Sequence, residues 1–569
     1  MRNTRKPIRR ETWMFAAVMI VLFAMFAWRQ FFGFNKNDEI FYISTVYRFI
    51  QGDAMLVDEW NNVQLFALLT YPFYSLVRLF HPSNTGIVLI FRIGYLLVHG
   101  AAATYCYVRL KRFGWIRILP ALFYFLSTPY NINSLSYNTL AFGFVLLTLV
   151  TFASAERWTA GSAFLCGIFT AGAVLANPYA VTLFILYGAT CVIAWFRERK
   201  NGAHQKELGL LDIRSFFFMG VGAFCIFILF VIFVFSRARL SEIMESFSYI
   251  VMDTERKKPF LEKFAKYFIR IHRYYKGQVY VTAVLLAAWI VDREKRIPRW
   301  LYLTAEIAAA VPYVVLYGFF GYSSIVDVVG INYIMIPLSF LGIIAYVTTE
   351  KRDQQLFWCW YVPGLFYTLL AHFATDTGIL TVSAAYMIPS AASILLIWKA
   401  IREQDHVLCK HAVGGLFCVL LALQFTCCLY LRMVYVWGDE HMPYLTAVLE
   451  EGPLKGIHTS AENEALYQDV LDDMDDLQLT KEDKLFVIGI APWMYLNTDA
   501  ECAAYSTWMT QETDPLIPLY YELHPEKLPT VIYCYEYDES ILNTEFAQSF
   551  LDKGYVVETM RRGIVLTNR

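Results

Sequence analysis

Residues 1–39, MRNTRKPIRRETWMFAAVMIVLFAMFAWRQFFGFNKNDE, decide how the rest of the chain is interpreted. They contain a basic start, an apolar run from Trp13 to Phe34, and the acidic pair Asp38 and Glu39. The run is longer than the apolar core of a signal peptide, and no A-x-A cleavage site follows it. We therefore predict an uncleaved membrane helix that starts in the cytoplasm and places the two acids at the outer face.

The composition of the whole chain indicates a membrane protein. Of its 569 residues 57% are hydrophobic and 17% are charged, and the mean hydropathy is +0.43. A soluble domain carries about 25% charged residues, so an ordinary cytosolic enzyme is excluded. The absence of a soluble basic domain excludes nucleic acid as the expected ligand. No Asn-x-Ser/Thr sequence occurs, which favours a bacterial cell over a eukaryotic secretory route.

Apolar runs long enough to cross a bilayer recur along the chain, on a criterion of about 20 residues. We predict about thirteen spans and hence a mainly α-helical, polytopic membrane bundle. The runs lie at 13–34, 87–108, 115–131, 138–155, 160–176, 179–196, 215–236, 278–291, 300–320, 329–348, 355–373, 378–398 and 411–431.

The charges of the loops set the predicted orientation. With a cytoplasmic N-terminus, the basic loops 109–117, 197–214 and 292–299 all lie inside, together with 156–159, 350–354 and 399–410. The short loops on the opposite side contain no Lys or Arg, as the positive-inside rule requires. An odd number of spans leaves the C-terminus outside. The predicted domains are a transmembrane domain over 1–433 and an extracytoplasmic domain over 434–569.

Two longer segments are predicted on the outer side, at 35–86 and 237–276. In the first, apolar residues at helical spacing after Asn37 predict an amphipathic helix lying flat on the membrane. Residues 63–80 are interpreted as a juxtamembrane or re-entrant helix broken near Tyr71-Pro72, because counting them as a span would invert every later loop. The second segment is predicted to be an outer basic loop, which calls for an anionic partner.

The C-terminal 136 residues or so alternate between helical and strand patterns. KLFVIGI at 484–490 and TVIYCYEY at 530–537 are predicted buried strands of a small α/β domain. Cys502 and Cys534 fall in this domain, either as a disulfide or as two buried free thiols.

The pair Asp38-Glu39 offers the clearest chemistry. A carboxylate at the outer face could accept a proton from a docking hydroxyl group. Two acids in the first turn after Asn37 also suit helix capping and the helix dipole. The two interpretations are compatible, because the first turn of a helix holds its residues in fixed positions.

This arrangement resembles the GT-C superfamily of membrane glycosyltransferases, within it the protein O-mannosyltransferase and lipid A aminoarabinose transferase branch. LFHPSNTGIVLIFRIGYLL at 79–97, followed by RLKRFG, is similar to the second span of that branch, with Arg92 at the place of its frequent arginine. Where family members carry another acid after the third span, this chain has Asn133, Tyr137 and Asn138.

The resemblance implies transfer of a sugar from a polyprenyl-phosphate donor to a glycan, lipid or protein acceptor at the outer face, with inversion. Asp38 would be the base or acceptor-orienting group, assisted by Glu39. Basic groups would stabilise the phosphate leaving group without a metal. The candidate substrate-binding residues are Arg92, Asn138, Arg256, Lys257, Lys258, Arg270 and Arg273.

Other interpretations stay open from the sequence. The basic residues could simply attract anionic lipids, and Arg92 could snorkel to the interface. His99 and Glu306 are expected to be hydrogen-bonded within the bundle. No cofactor is expected, although Asp38, Asp53 and Asp58 make a divalent metal possible. The alternative functions are a transporter or flippase of a lipid-linked or anionic substrate, and a non-catalytic scaffold of the same fold.

Overall fold

The computed structural model describes residues 10–201, 208–252, 259–320, 334–375, 383–404 and 406–569. Most of the first 434 residues are helical. The helices are α1 Arg10–Arg29, α2 Asp38–Gln51, α3 Ala67–Phe80, α4 Ile87–Arg109, α5 Ile118–Leu126, α6 Tyr137–Ser154, α7 Ala160–Ala176, α8 Val181–Asn201, α9 Ile213–Phe235, α10 Leu240–Ile250, α11 Phe260–Val291, α12 Arg299–Val315, α13 Met335–Thr348, α14 Val362–Thr375, α15 Met387–Arg402 and α16 Val407–Val434. A helical turn at Gln354–Leu356 and a π turn at Phe357–Tyr361 lead directly into α14.

Within the described ranges, nine helical segments are long and apolar enough to cross a membrane, and Ala160–Ala176 and Met335–Thr348 are shorter apolar helices. The chain is a multi-pass membrane protein. Each of the thirteen predicted runs overlaps a helix, but not every one is a separate long span. α5 has only nine residues. The 3-10 segment Leu110–Arg117 before it is broken at Gly114, which has φ +69° and ψ −144°. α5 packs back on α4, where His99 bonds the Tyr124 carbonyl.

The loops predicted to be cytoplasmic lie together at one end of the bundle. Arg117 pairs with Glu11 at 2.9 Å, which joins loop 109–117 to the start of α1. Arg112 pairs with Asp353 at 3.2 Å, and Arg299 pairs with Glu350. The backbone N–H groups of Glu350 and Lys351 both donate to Glu403. This convergence is what an alternating, membrane-crossing path produces.

Three local predictions are wrong. Residues Glu39–Phe49 of α2 are all buried, because the C-terminal region covers the face that was expected to meet the membrane. Helix α3 continues through Pro72, its sixth residue, although the missing N–H removes the hydrogen bond to the Leu68 carbonyl. The segment 237–276 is not an open loop: it contains α10 and the first half of α11, a 32-residue helix kinked at Tyr275.

The region after α16 contains a small mixed sheet. Its strands are β3 Lys484–Ile488, β4 Glu501–Cys502, β5 Val531–Tyr535, β6 Val556–Met560 and β7 Gly563–Thr567, in the order β4-β3-β5-β7-β6. β3 is parallel to β4 and β5, whereas β7 is antiparallel to β5 and β6. A further pair, β1 Ala447–Val448 and β2 His458–Thr459, precedes the helix Ala461–Leu477. The predicted fold class, a mainly helical membrane bundle with a small C-terminal α/β region, is confirmed.

The two cysteines of this region are buried free thiols. Cys502 on β4 and Cys534 on β5 pair with opposite sides of β3. Two strand spacings of about 9–10 Å and a three-residue offset along β3 separate them, which exceeds the reach of a disulfide. Burial raises the pKa of Cys502 to about 11 and that of Cys534 to about 12, so both remain protonated at neutral pH.

Candidate functional site

The linker between α1 and α2 is built into the C-terminal region. The Gly33 N–H donates to the His458 carbonyl at 2.8 Å, and the His458 N–H donates to the Phe31 carbonyl at 2.7 Å. Gly33 has φ +98°, and a Cβ there would lie 2.3 Å from Val436 Cγ1. Only glycine satisfies both the backbone conformation and the space. The start of α2 therefore has a fixed position relative to β2.

Glu39 and Arg92 form a buried ion pair beside this linker. Arg92 Nε donates to Glu39 Oε1 at 2.7 Å, and a terminal nitrogen donates to Oε2 at 2.6 Å. The same guanidinium donates to the carbonyls of Gln30 and Gly33 at 2.7 and 2.6 Å. Arg92 is 3% exposed and Glu39 is 2% exposed. The pair thus ties α4 to the end of α1 and to the first turn of α2.

The segment that follows α16 closes over the same linker. Arg29, at the end of α1, donates to the carbonyls of Met433 and Tyr435 at 3.0 and 2.8 Å. Asp439 accepts hydrogen bonds from the Phe34 N–H, the Thr459 hydroxyl and Asn463 at 2.6–2.7 Å. Residues separated by about 400 positions in sequence therefore hold the entrance to α2.

Asp38 lies at the centre of these contacts with its side chain half-buried. Trp437 Nε1 donates to Asp38 Oδ2 at 2.7 Å, an N–H to carboxylate hydrogen bond. Asp38 is the first residue of α2, so the positive end of the helix dipole also favours its charged form. Asn37 occupies the N-cap position, but its side chain makes no capping hydrogen bond. A partly open carboxylate in a fixed orientation can accept a proton.

Two tyrosine rings meet one helical turn along α2 from Asp38. Tyr42, one turn further on, meets the ring of Tyr137 edge to face at 5.8 Å. Tyr137 begins α6, and Asn138 is the next residue, half-buried. The structure therefore brings the start of α6, with the predicted Asn138 just after the α5–α6 loop, close to the helix that starts at Asp38. Asn133 in that loop accepts a 2.7 Å hydrogen bond from the buried Arg432.

The predicted basic groups fall in two places. Arg256, Lys257 and Lys258 lie outside the described residues. Arg270 is half-buried and Arg273 is exposed on α11, which packs against α12, α13 and α14. Large apolar side chains are exposed on the same half of α11, namely Phe260, Leu261, Phe264, Phe268 and Ile269. This half of α11 has the composition of a helix at the membrane interface.

The other acids of segment 35–86 are held by cations. Arg48 contacts Asp53 at 2.6 Å and Glu59 at 2.8 Å, and Lys527 contacts Asp53 at 2.6 Å and Asp58 at 3.9 Å. Burial alone would raise the pKa of Asp53, but Arg48 and Lys527 outweigh it and lower that pKa. For Asp58, burial and the neighbouring Asp53 raise the pKa. This network joins segment 35–86 to the C-terminal region.

The three aspartates do not form one metal site. Asp53 and Asp58 follow the C-terminal end of α2, whereas Asp38 begins it, so the 14 residues of the helix separate them by roughly 20 Å. In the described part of the chain, no group of three or more His, Cys, Asp or Glu side chains is arranged to hold a metal ion.

Sequence reasoning missed the residues that orient the site. Trp437 and Lys527 contact segment 35–86 from distant positions. Arg29 and Asp439 hold the residues around the linker that precedes it. No local sequence pattern predicts such partners. The stretch YVWGDE at 435–440, polar and directly after the last apolar run, is the one signal that could have drawn attention to Trp437. The expectation for His99 and Glu306 agrees with the structure: His99 bonds the Tyr124 carbonyl, and Glu306 accepts from Gln278 and Thr282.

No family model matches the sequence, and no curated protein matches it. Two solved structures are similar in shape. One is the archaeal oligosaccharyltransferase AglB from Archaeoglobus fulgidus in complex with an inhibitory peptide and a dolichol-phosphate, at 9% identity and a TM-score of 0.44. The other is an Archaeoglobus fulgidus oligosaccharyltransferase tethered to an acceptor peptide, at 10% identity and a TM-score of 0.44. Each alignment covers 98% of this chain and 74% of the other.

Proposed function

We propose that the chain is an integral membrane glycosyltransferase of the GT-C type. It moves a sugar from a polyprenyl-phosphate donor to an acceptor hydroxyl at the outer face of a bacterial plasma membrane, and Asp38 is the general base. The observation that carries the proposal is the contrast between adjacent acids: Glu39 is buried in an ion pair, whereas Asp38 is half-buried and oriented by Trp437.

The placement of Asp38 supports the proposed topology. It lies at the end of the bundle opposite to the converging basic loops, and the C-terminal region packs around it. A cytoplasmic N-terminus then puts both Asp38 and residues 434–569 outside. The transmembrane domain over 1–433 is part of the same proposal.

The proposed reaction is a single displacement. The acceptor oxygen forms a bond to the anomeric carbon as the bond from that carbon to the phosphate oxygen breaks, which inverts the configuration. Asp38 takes the proton of the acceptor hydroxyl, and the leaving polyprenyl phosphate takes the electron pair. Cations lower the energy of the developing phosphate charge.

The other predicted site residues have different roles in the proposal. Glu39 and Arg92 are positioning residues, because their mutual contacts hold the helix start that presents Asp38. Asn138 and the neighbouring Tyr137 lie beside α2 and would contact the sugar or the acceptor. Arg270 and Arg273 on the interfacial half of α11 would meet the donor phosphate at headgroup depth, together with Arg256, Lys257 and Lys258.

The test is turnover by membranes that contain Asp38→Asn or Asp38→Ala. Because the sugar and the acceptor are unidentified, the readout is release of free polyprenyl phosphate from a panel of polyprenyl-phosphate monosaccharides. Loss of a general base predicts a decrease of about 10²–10⁴-fold. Glu440→Gln, the same acid-to-amide change on an exposed side chain nearby, should leave turnover unchanged.

Two outcomes would count against the proposal. Turnover at the wild-type rate in both Asp38 variants would remove Asp38 from the mechanism. A wild-type protein that releases no polyprenyl phosphate from any donor of the panel would favour the transporter or the scaffold.

A further inference from the structure

A large cavity opens on the side of the bundle at the end opposite to Asp38. Its volume is about 1380 Å³, which exceeds the range of about 300–1,000 Å³ typical of small-molecule pockets. Helices α6, α7, α8 and α9 and the segment around α14 form its walls. The mouth is formed by the loops at 155–159 and 208–212 and by Gln354 and Gln355, all at the predicted cytoplasmic end.

The walls of the cavity are apolar for about the depth of one membrane leaflet. Along α6 and its C-cap the lining extends from Val145 to Ala155, a rise of ten residue steps, or about 15 Å at 1.5 Å per residue. That is half of the hydrocarbon core, which is about 30 Å thick. The lining side chains are mostly aliphatic or aromatic, including Leu149, Phe152, Leu183, Phe184 and Phe366. An acyl chain fits this depth and chemistry.

Two buried polar atoms in the lining lack a partner within the described ranges. Trp158 is 8% exposed and Thr170 is 7% exposed, and neither Trp158 Nε1 nor Thr170 Oγ1 makes a hydrogen bond. A buried donor without an acceptor destabilises the fold. The indole N–H can only donate, so the cavity calls for an occupant with an acceptor oxygen near the mouth.

The charges around the mouth select the headgroup. Glu156, Arg157 and Glu198 all line it, the first two exposed and the third half-buried. Asp212 also lines the mouth but is paired with Arg214 at 2.6 Å, and Arg214 also interacts with Glu198. The mouth therefore has three carboxylates and two guanidiniums, and this mixture of charges suits a headgroup that carries an amine as well as a phosphate. A headgroup that carries a phosphate but no amine would be repelled by the carboxylates.

We propose that this cavity binds a glycerophospholipid with an amine headgroup, of the phosphatidylethanolamine class. One acyl chain fills the apolar walls, and its ester carbonyl accepts the hydrogen bond from Trp158 Nε1. Arg157 meets the phosphate, and Glu156 and Glu198 meet the ammonium group. A polyprenyl phosphate has neither the acyl ester carbonyl nor the amine. This site therefore differs in ligand and in location from the one proposed at Asp38.

The experiment is lipid titration of the purified, delipidated full chain, followed by native mass spectrometry. The lipids are phosphatidylethanolamine, phosphatidylglycerol and a polyprenyl phosphate. Trp158→Phe removes the free donor and should weaken phosphatidylethanolamine binding about three- to tenfold, the equivalent of one hydrogen bond. Trp358→Phe is the matched control, because Trp358 also lines the cavity but its Nε1 already donates to Gln354 at 3.0 Å.

A second pair of variants tests occupancy of the cavity itself. Ala194→Phe adds a ring to the lining of α8 and should abolish tight binding, whereas Ala189→Phe on the same helix lies outside the lining and should not. Equal binding by these two variants would overturn the proposal. So would equal binding of the two phospholipid classes, or a polyprenyl phosphate that binds more tightly with the same dependence on Ala194. Each readout is binding, so it is independent of any transfer activity.

Discussion

The two ends of α2 hold acidic side chains in opposite ways. At its C-terminal end, Asp53, Asp58 and Glu59 are buried and face Arg48 and Lys527. At its N-terminal end, Asp38 keeps a half-buried carboxylate with an uncharged indole N–H donor. In the proposal, the C-terminal end of α2 stabilises the fold and the N-terminal end meets the substrate.

Glu39 shows how sharply the environment changes at the N-terminal end. It is adjacent to Asp38, yet its carboxylate accepts two hydrogen bonds from Arg92 and is 2% exposed. Successive residues of a helix point about 100° apart, so one acid faces the bundle and the other faces outward. Adjacent acids in a sequence are therefore not equivalent candidates for a catalytic base.

The largest expected effect in this comparison is on stability at the C-terminal end. Arg48→Met leaves Asp53 and Glu59 buried with one cation fewer, and breaking a buried pair in this way costs about 3–5 kcal/mol. We expect the thermal unfolding midpoint in detergent to fall accordingly. Arg296→Met is the control, because Arg296 pairs with Glu294 at the surface and should shift the midpoint little. An unchanged midpoint for Arg48→Met would mean that the network does not hold α2.

The pH dependence of stability separates two acids of the network. The pKa of Asp58 is raised in the fold, so its contribution to stability is present at low pH and is lost as the pH rises through that pKa. The pKa of Asp53 is lowered, so its contribution is present above the unfolded value of about 3.9 and is lost only as the pH falls below it.

Unfolding at pH 7 and pH 5 tests this difference. Wild type should gain stability relative to Asp58→Asn on acidification, by at most about 1.4 kcal/mol per pH unit. The difference between wild type and Asp53→Asn should stay constant over the same interval, which makes it the internal control. A wild type that loses stability relative to Asp58→Asn on acidification would show that Lys527 dominates the Asp58 environment.

The sequence predicted the membrane helices well and the environment of α2 poorly, for a physical reason. Apolar length is a local property, so runs such as 215–236 coincide closely with α9. Burial of α2 depends on residues near 492–507, which pack on it from the other end of the chain: Ser44 donates to the Pro492 carbonyl, and Thr45 pairs with Thr507. An amphipathic pattern cannot distinguish a membrane surface from a covering domain.

Some features of the candidate site were predictable from the sequence and others were not. The position of Asp38 at the end of the bundle away from the basic loops was predictable, because one span and a short linker separate it from the basic start. The partner of Arg92 was not, because Glu39 lies 53 positions away and a charge within a span has many possible partners. The N-terminal half of α11 was read as a loop because its charges interrupt the apolar pattern, although a helix tolerates Lys and Arg well.

The smallest expected effect concerns the donor that orients Asp38. Trp437→Phe retains most of the ring and removes only the N–H that lies 2.7 Å from Asp38 Oδ2. We expect the rate of polyprenyl phosphate release to fall about three- to tenfold, the equivalent of one hydrogen bond. The acidic limb of the pH–rate profile should move to higher pH, because the charged carboxylate loses a donor that favours it. Trp28→Phe, the same change on a side chain of α1 that is 49% exposed, should alter neither. A lower rate with an unmoved acidic limb would assign Trp437 a packing role.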